Sequence, residues 1–173
     1  ANGSDIYSGA SLRGGTLDLL WLTEFGSTAC HFPAKAAEIL SGAFNTVPSD
    51  GFLFNESTHE GGRTGLNYEI MKGALDLTGK RLSNVQWKFF FFPWFEDSGY
   101  VLAGEGYDVL DEDRAYFDEL REKGISLSQE QMVWYSHMKQ TQGELMKQEY
   151  PSTPEEALWP HVSGAIYGAV MHR

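Results

Sequence analysis

Disulfide chemistry is the first thing this sequence excludes. Its 173 residues include one cysteine, Cys30, so no internal disulfide forms and no second Cys pair completes a metal cluster. Long hydrophobic runs are lacking too. The longest, KFFFFPWF, is broken by Pro93 and falls far short of the roughly 18 residues of a membrane span. The chain opens ANGSDIYSG, polar and without a signal-peptide pattern. It also opens without Met, as expected of a processed product or an excised piece. A cytosolic compartment is the simplest expectation. Basic clusters are missing as well: 13 Lys and Arg stand against 24 Asp and Glu, a net charge of −11. Such a chain is a poor stand-alone grip on nucleic acid. The acid concentrates between Glu96 and Glu122 and reads as solvated surface.

A 42% hydrophobic and 14% aromatic composition requires a folded core. There is no internal repeat. Asp5 to Ala10 reads as a short strand, and LDLLWLT, ending at Thr23, as a strand buried on both faces apart from Asp18. AKAAEILSGAFN follows Pro33 with helical spacing, Ala36, Ile39, Leu40 and Ala43 sharing a face. FLFNE is a second buried strand, TGLNYEIMKGALDL a helix with Leu66, Ile70 and Leu77 inward, and NVQWKFFFFPW a third strand. Strand, helix, strand, helix, strand implies an α/β fold, a parallel sheet with crossover helices. The second half turns helical. Asp111 is expected to cap a helix stopped at Gly124, Ser128 to cap one that ends at Gly143, and Thr153-Pro154 to start a last short turn.

The chemistry sits at two strand ends. TLDLLWLTEFG runs an apolar strand into Thr23-Glu24, and GFLFNESTHEGG runs another into Glu56, Ser57 and Thr58. Ligands of open parallel sheets bind outside the carboxyl ends of the strands. Three readings stay open. In nucleotide hydrolysis, Glu24 orients or deprotonates the attacking water, Thr23 stands where a Mg²⁺-holding acid usually does, and Ser57 and Thr58 sense the γ-phosphate. In glycoside hydrolysis, Glu24 and Glu56 form a carboxylate pair, though the barrel usual for that chemistry needs about 250 residues. In the third reading, both are ordinary exposed glutamates. Elsewhere the expectations are plainer. Cys30-His31 lacks a second pair of ligands, so no metal site is expected there. His59 reads as a loop histidine. His137, His161 and His172 belong to no constellation. FFFFPWF reads as a buried strand with its turn, and Trp134 and Tyr135 as core.

The succession NGSDIYSGASLRGGTLDLLWLTEFG, LSGAFNTV, FLFNESTHEGG, FFFFPWF and MKQEYPSTPEEAL resembles the large terminase subunit of tailed bacteriophages and prophages, the ATPase-nuclease that packages DNA into capsids. The likeness covers nearly the whole chain. YPSTPEEA and the strand-plus-STHEG element are its most specific parts. It implies a partial P-loop NTPase sheet of the RecA/ASCE type over residues 1–95, a helical extension over 96–160, and the start of a linker towards a nuclease domain over 161–173. It implies Glu24 as the catalytic glutamate of a Walker B element, with Thr23, Ser57 and Thr58 coupling hydrolysis to movement. Arg13 would be an arginine offered to a neighbouring subunit's ATP, or else an ordinary loop arginine. ATP and Mg²⁺ would be the parent's cofactors. Double-stranded DNA, the portal protein, the small terminase subunit and neighbouring copies would be its partners, with no membrane, in the bacterial cytoplasm. The departure from the family is plain: the sequence contains no GxxxxGK[ST] phosphate loop and no nuclease acids. The chain is therefore expected to be a fragment without ATPase activity of its own, or a non-catalytic prophage remnant acting as an interaction scaffold.

Overall fold

The computed structural model describes residues 5–9 and 15–158, and these fall into two compact units that divide between Phe89 and Phe90. The linker expected over 161–173, and Arg13, lie outside the described residues. No helix among the described residues is long and apolar enough to cross a membrane.

The first unit is a mixed helix and strand structure. Strand β1 (Leu19–Thr23) leads into helix α1 (Phe25–His31) and helix α2 (Pro33–Gly42). A short 3-10 turn, Phe44–Thr46, then precedes strand β2 (Phe52–Glu56), and helix α3 (Leu66–Asp76) follows. The two strands pair in parallel, Leu19 opposite Phe52 through Thr23 opposite Glu56. Below them Leu17 N–H donates to Thr46 O and Phe52 N–H to Asp18 O, at 2.9 and 2.8 Å. Pro33 opens α2, where its missing N–H costs nothing. Phe25, Ala29 and Ala36 form the buried centre, with Leu22, Ile39, Leu40, Leu66 and Ile70 packed around it. All three helices contribute to that cluster. The face of the sheet carrying Leu20 and Leu22 meets it.

The opposite face of the sheet is bare. Leu19, Trp21, Phe52 and Phe54 are 51%, 61%, 63% and 49% exposed. Trp21 packs beside Phe54, and Phe52 stacks on Phe54 at 6.5 Å between ring centroids. This corrects the expectation that both strands are buried on both faces. Two further strands are also not formed. Among the described residues, neither 5–9 nor NVQWKFFFFPW joins the β1–β2 ladder. The second segment keeps strand-like side chains: Phe90 and Phe92 stack with rings almost parallel, both largely exposed. It has the period of a strand but joins no sheet among the described residues. Helix α1 was not anticipated, since Gly, Ser, Thr and Cys in FGSTACH are weak helix formers. It forms because Phe25 and Ala29 are buried in the core.

The second unit is helical. Helices α4 (Arg114–Glu122), α5 (Gln129–Gln142), α6 (Met146–Glu149) and α7 (Pro154–Ala157) surround a core of Trp94, Val109, Phe117, Leu120, Val133, Tyr135 and Met146. Tyr135 is buried and Trp134 stacks on Trp94 at 5.2 Å, as expected of core residues. Ser128 caps α5 through a full capping box with Gln131. Gly124 takes positive φ just past α4 and stops it. Asp111 does not cap α4. The chain enters through a 3-10 turn, Asp111–Asp113, and Asp111 accepts a hydrogen bond from Arg114 Nε at 2.9 Å instead. In YPSTPEEA, Thr153 Oγ1 accepts from Glu156 N–H, while Glu156 Oε2 accepts from Ser152 N–H at 2.8 Å. Ser152 Oγ in turn accepts from Trp94 Nε1 at 2.9 Å, and the Tyr116 hydroxyl lies within hydrogen-bond reach of both Ser152 and Glu156. The motif thus starts α7 and ties it to the core. Burial, then the neighbouring Tyr135 and Glu156, push the Tyr116 phenol far above its ordinary value.

One half-buried ion pair holds α5 to the entry of α4. Asp113 is fully buried and accepts from Lys139 Nζ. That hydrogen bond is the main reason the Lys139 ammonium sits above the usual lysine value. Lys139's share of the stabilisation is therefore fully present at neutral pH and fades as pH climbs through the raised value. Lys139→Met leaves a buried carboxylate uncompensated, and urea denaturation should show a loss of about 2–3 kcal/mol. Adding Asp113→Asn should recover part of it.

Candidate functional site

The candidate site is the joint where the two parallel strands end. β1 delivers Thr23 opposite Glu56, and the ladder continues one residue further, Glu24 N–H donating to Glu56 O at 2.9 Å. There the chain turns. Glu24 adopts φ 54°, ψ 33°, and is the one non-glycine residue with positive φ among the described residues. For a side chain longer than Asn that conformation costs about 1–2 kcal/mol. It lets α1 begin at the very next residue. Glu24 stands at the N-cap, but its carboxylate makes no capping bond to the helix and the residue is exposed. Its backbone does the turning, and its carboxylate stays out of the helix start.

The neighbouring strand end is clasped to that turn. Gly26 N–H donates to Ser57 Oγ at 2.7 Å, and the Ser57 hydroxyl donates to Thr58 O at 2.7 Å. The approach is close enough to require glycine. A Cβ at Gly26 would lie 2.4 Å from Thr58 O, 2.6 Å from Ser57 Oγ and 3.0 Å from Asn67 Nδ2. Beneath the clasp runs a buried polar chain. Asn55 Nδ2 donates to Asn67 Oδ1 at 3.1 Å, Asn67 Nδ2 donates to His59 Nδ1 at 3.3 Å, and His59 Nε2 donates to Gly62 O at 2.5 Å. The carbonyl at one ring nitrogen and the amide at the other assign His59 the neutral Nε2–H tautomer. Asn67 and His59 are both buried. The chain reaches from β2 through α3 to the glycine-rich loop.

Of the residues singled out by sequence, Thr23, Glu24, Ser57 and Thr58 come to this one joint. Arg13 lies outside the described residues. Glu56 belongs to the bare face, where its carboxylate accepts from Trp21 Nε1 at 3.1 Å. Three participants were not anticipated. Gly26 fills a slot no other residue fits, Asn67 organises the loop, and His59 is a buried hydrogen-bonding residue rather than a loose loop histidine. Asn67 was visible as a polar residue between the inward Leu66 and Ile70. Neither partner of the Gly26 contact is near it in sequence.

The joint offers a carboxylate and hydroxyls, the chemistry that faces the terminal phosphate and water of a nucleotide. It offers no phosphate cradle, because no glycine-rich loop with a following Lys and Ser or Thr exists in the sequence. No family model, no curated protein and no solved structure matches this chain.

Two stability measurements test the joint. Glu24→Gly should raise the free energy of unfolding by about 1 kcal/mol, because glycine takes the left-handed conformation without strain. Gly26→Ala should lower it by about 1–3 kcal/mol despite alanine's better helix propensity, because the clash with Thr58 O involves backbone that cannot step aside.

Proposed function

We propose that this chain is part of the ATPase region of a DNA-packaging motor of the large-terminase type. One observation carries the reading: the strained residue of the joint is Glu24, the residue the family likeness assigns to catalysis. Strain at a single side chain survives where something other than stability maintains it. An ordinary surface glutamate after a strand has no reason to occupy a left-handed turn that glycine fills better.

On this reading Glu24 orients and deprotonates the water that attacks the γ-phosphate. Thr23 hydrogen-bonds a Mg²⁺-bound water, and the Ser57–Thr58 tip reports the reaction. The clasp supplies the coupling. Ser57 is bonded to the first turn of α1, so displacement of one strand tip pulls on the element that carries the other. The fold would then be a partial P-loop NTPase sheet. The bare face of Leu19, Trp21, Phe52 and Phe54 supports this. Such a face needs a neighbour that the rest of such an ATPase would provide. Covering the face would contribute about 1 kcal/mol or more per side chain. In the complete motor the partners would be double-stranded DNA, the portal, the small terminase subunit and neighbouring copies, in the host cytoplasm.

The bare aromatic face also favours a second reading, a non-catalytic scaffold that binds a partner there. One experiment separates the two. The chain alone should hydrolyse no ATP. In the complete ATPase, with a phosphate loop supplied, Glu24→Gln should cut turnover by about a hundredfold or more while ATP binding persists. Unchanged turnover in that variant would end the ATPase assignment for this residue and leave the scaffold.

A further inference from the structure

A second cluster lies at the far end of α1, away from Glu24. Cys30 and His31 close that helix, and Glu60 follows His59 in the loop beyond β2. The Cys30 thiol, a ring nitrogen of His31 and a carboxylate oxygen of Glu60 all lie within 4.8 Å of one another. His31 Nε2 is 2.8 Å from Glu60 Oε2. The loop backbone at Gly61 passes close to the sulfur. Gly61 has φ 86°, and a Cβ there would sit 3.2 Å from Cys30 Sγ. A residue with a side chain at 61 would be strained and would press on the thiol.

We propose that Cys30, His31 and Glu60 bind a divalent transition-metal ion of the zinc class, with water as the fourth ligand. Three features converge. Thiolate, imidazole and carboxylate are the three protein donors zinc takes, and the thiolate selects against Mg²⁺ and Ca²⁺. One thiolate and one carboxylate neutralise a 2+ charge completely. The site also closes the C-terminal end of α1, the negative pole of the helix dipole, which favours a cation. Tetrahedral zinc needs its ligand atoms about 3–4 Å apart. His31 and Glu60 must therefore part slightly and the sulfur swing inward. Cys30 and His31 are exposed and Glu60 is only partly buried, so rotamer changes suffice. On binding, the thiol proton leaves to solvent and the imidazole carries its proton on Nδ1, freeing Nε2 for the ion.

The ion would bridge the end of α1 to the loop three residues past Ser57. The loop would then be fixed to α1 at two points, at Gly26 by a hydrogen bond and at Cys30 and His31 by metal. The metal site rests on its own geometry and holds whether or not the chain comes from a packaging ATPase.

Cobalt titration of the full chain, with a non-thiol reductant present, tests the site directly. The expected result is one Co²⁺ per chain, with a thiolate-to-cobalt charge-transfer band and visible bands of tetrahedral intensity, all displaced by Zn²⁺. Cys30→Ser should abolish the charge-transfer band. His31→Ala and Glu60→Gln should each weaken binding by about tenfold or more. These side chains lie outside the core, and circular dichroism should show all three variants folded. Absence of the band in the wild type would overturn the proposal. So would cobalt affinity unchanged in Cys30→Ser, which places the ion elsewhere, or unchanged in both His31→Ala and Glu60→Gln, which reduces the site to a thiol.

Discussion

The first unit depends on one close approach, that of the Gly26 backbone to the carbonyl of Thr58 and the hydroxyl of Ser57. Two parallel strands can be laid side by side by their ladder alone. Fixing where they end requires something at the tips. Here the tip of β1 turns sharply into a helix and the first turn of that helix is bonded to the tip of β2. The turn forces Glu24 into a left-handed backbone. The closeness forbids a side chain at Gly26. Asn67 and His59 then carry the constraint into the loop, each buried and each hydrogen-bonded on both sides. The strained turn and the buried polar chain meet at that contact.

The same unit is lopsided. Its helices pack on one face of the sheet, and large apolar side chains line the other. A two-stranded parallel sheet is normally stable only when both faces are covered. The first unit has one covered face, one open face and a strained tip. The second unit is different in kind: an aromatic core, a capped helix and a Lys139–Asp113 pair that holds its buried carboxylate. The residues that both proposed readings invoke, the strand tips and the open face, belong to the first unit. The two are compatible if the open face is where a larger ATPase continues.

Local signals in the sequence translated well. Pro33, Ser128, Gly124 and the Thr153-Pro154 start act where they stand, because caps and stops are decided by a few neighbouring residues. The α/β character and the parallel pairing of the two strands that run into Glu24 and into Ser57-Thr58 were also legible, since two apolar strands joined by helices pair in one direction. What was not legible depends on partners. LDLLWLT and NVQWKFFFFPW carry the composition of buried strands, but composition cannot supply the layer or ladder that buries them. Helix α1 was hidden by weak formers and exists through the burial of Phe25. Glu60 beside Cys30-His31 was invisible because 29 residues separate it from His31 in sequence.

The claim on which the account turns is that the strand-end joint holds Glu24 in a left-handed conformation. Nuclear magnetic resonance of the labelled chain measures this directly. A positive φ brings the amide proton close to its own Hα, so a strong intraresidue cross-peak is predicted at Glu24, comparable to those of the left-handed glycines. A weak cross-peak, as in the helical residues that follow, would place Glu24 in ordinary backbone. The strain that distinguishes it from a surface glutamate would then be gone, and the catalytic reading with it.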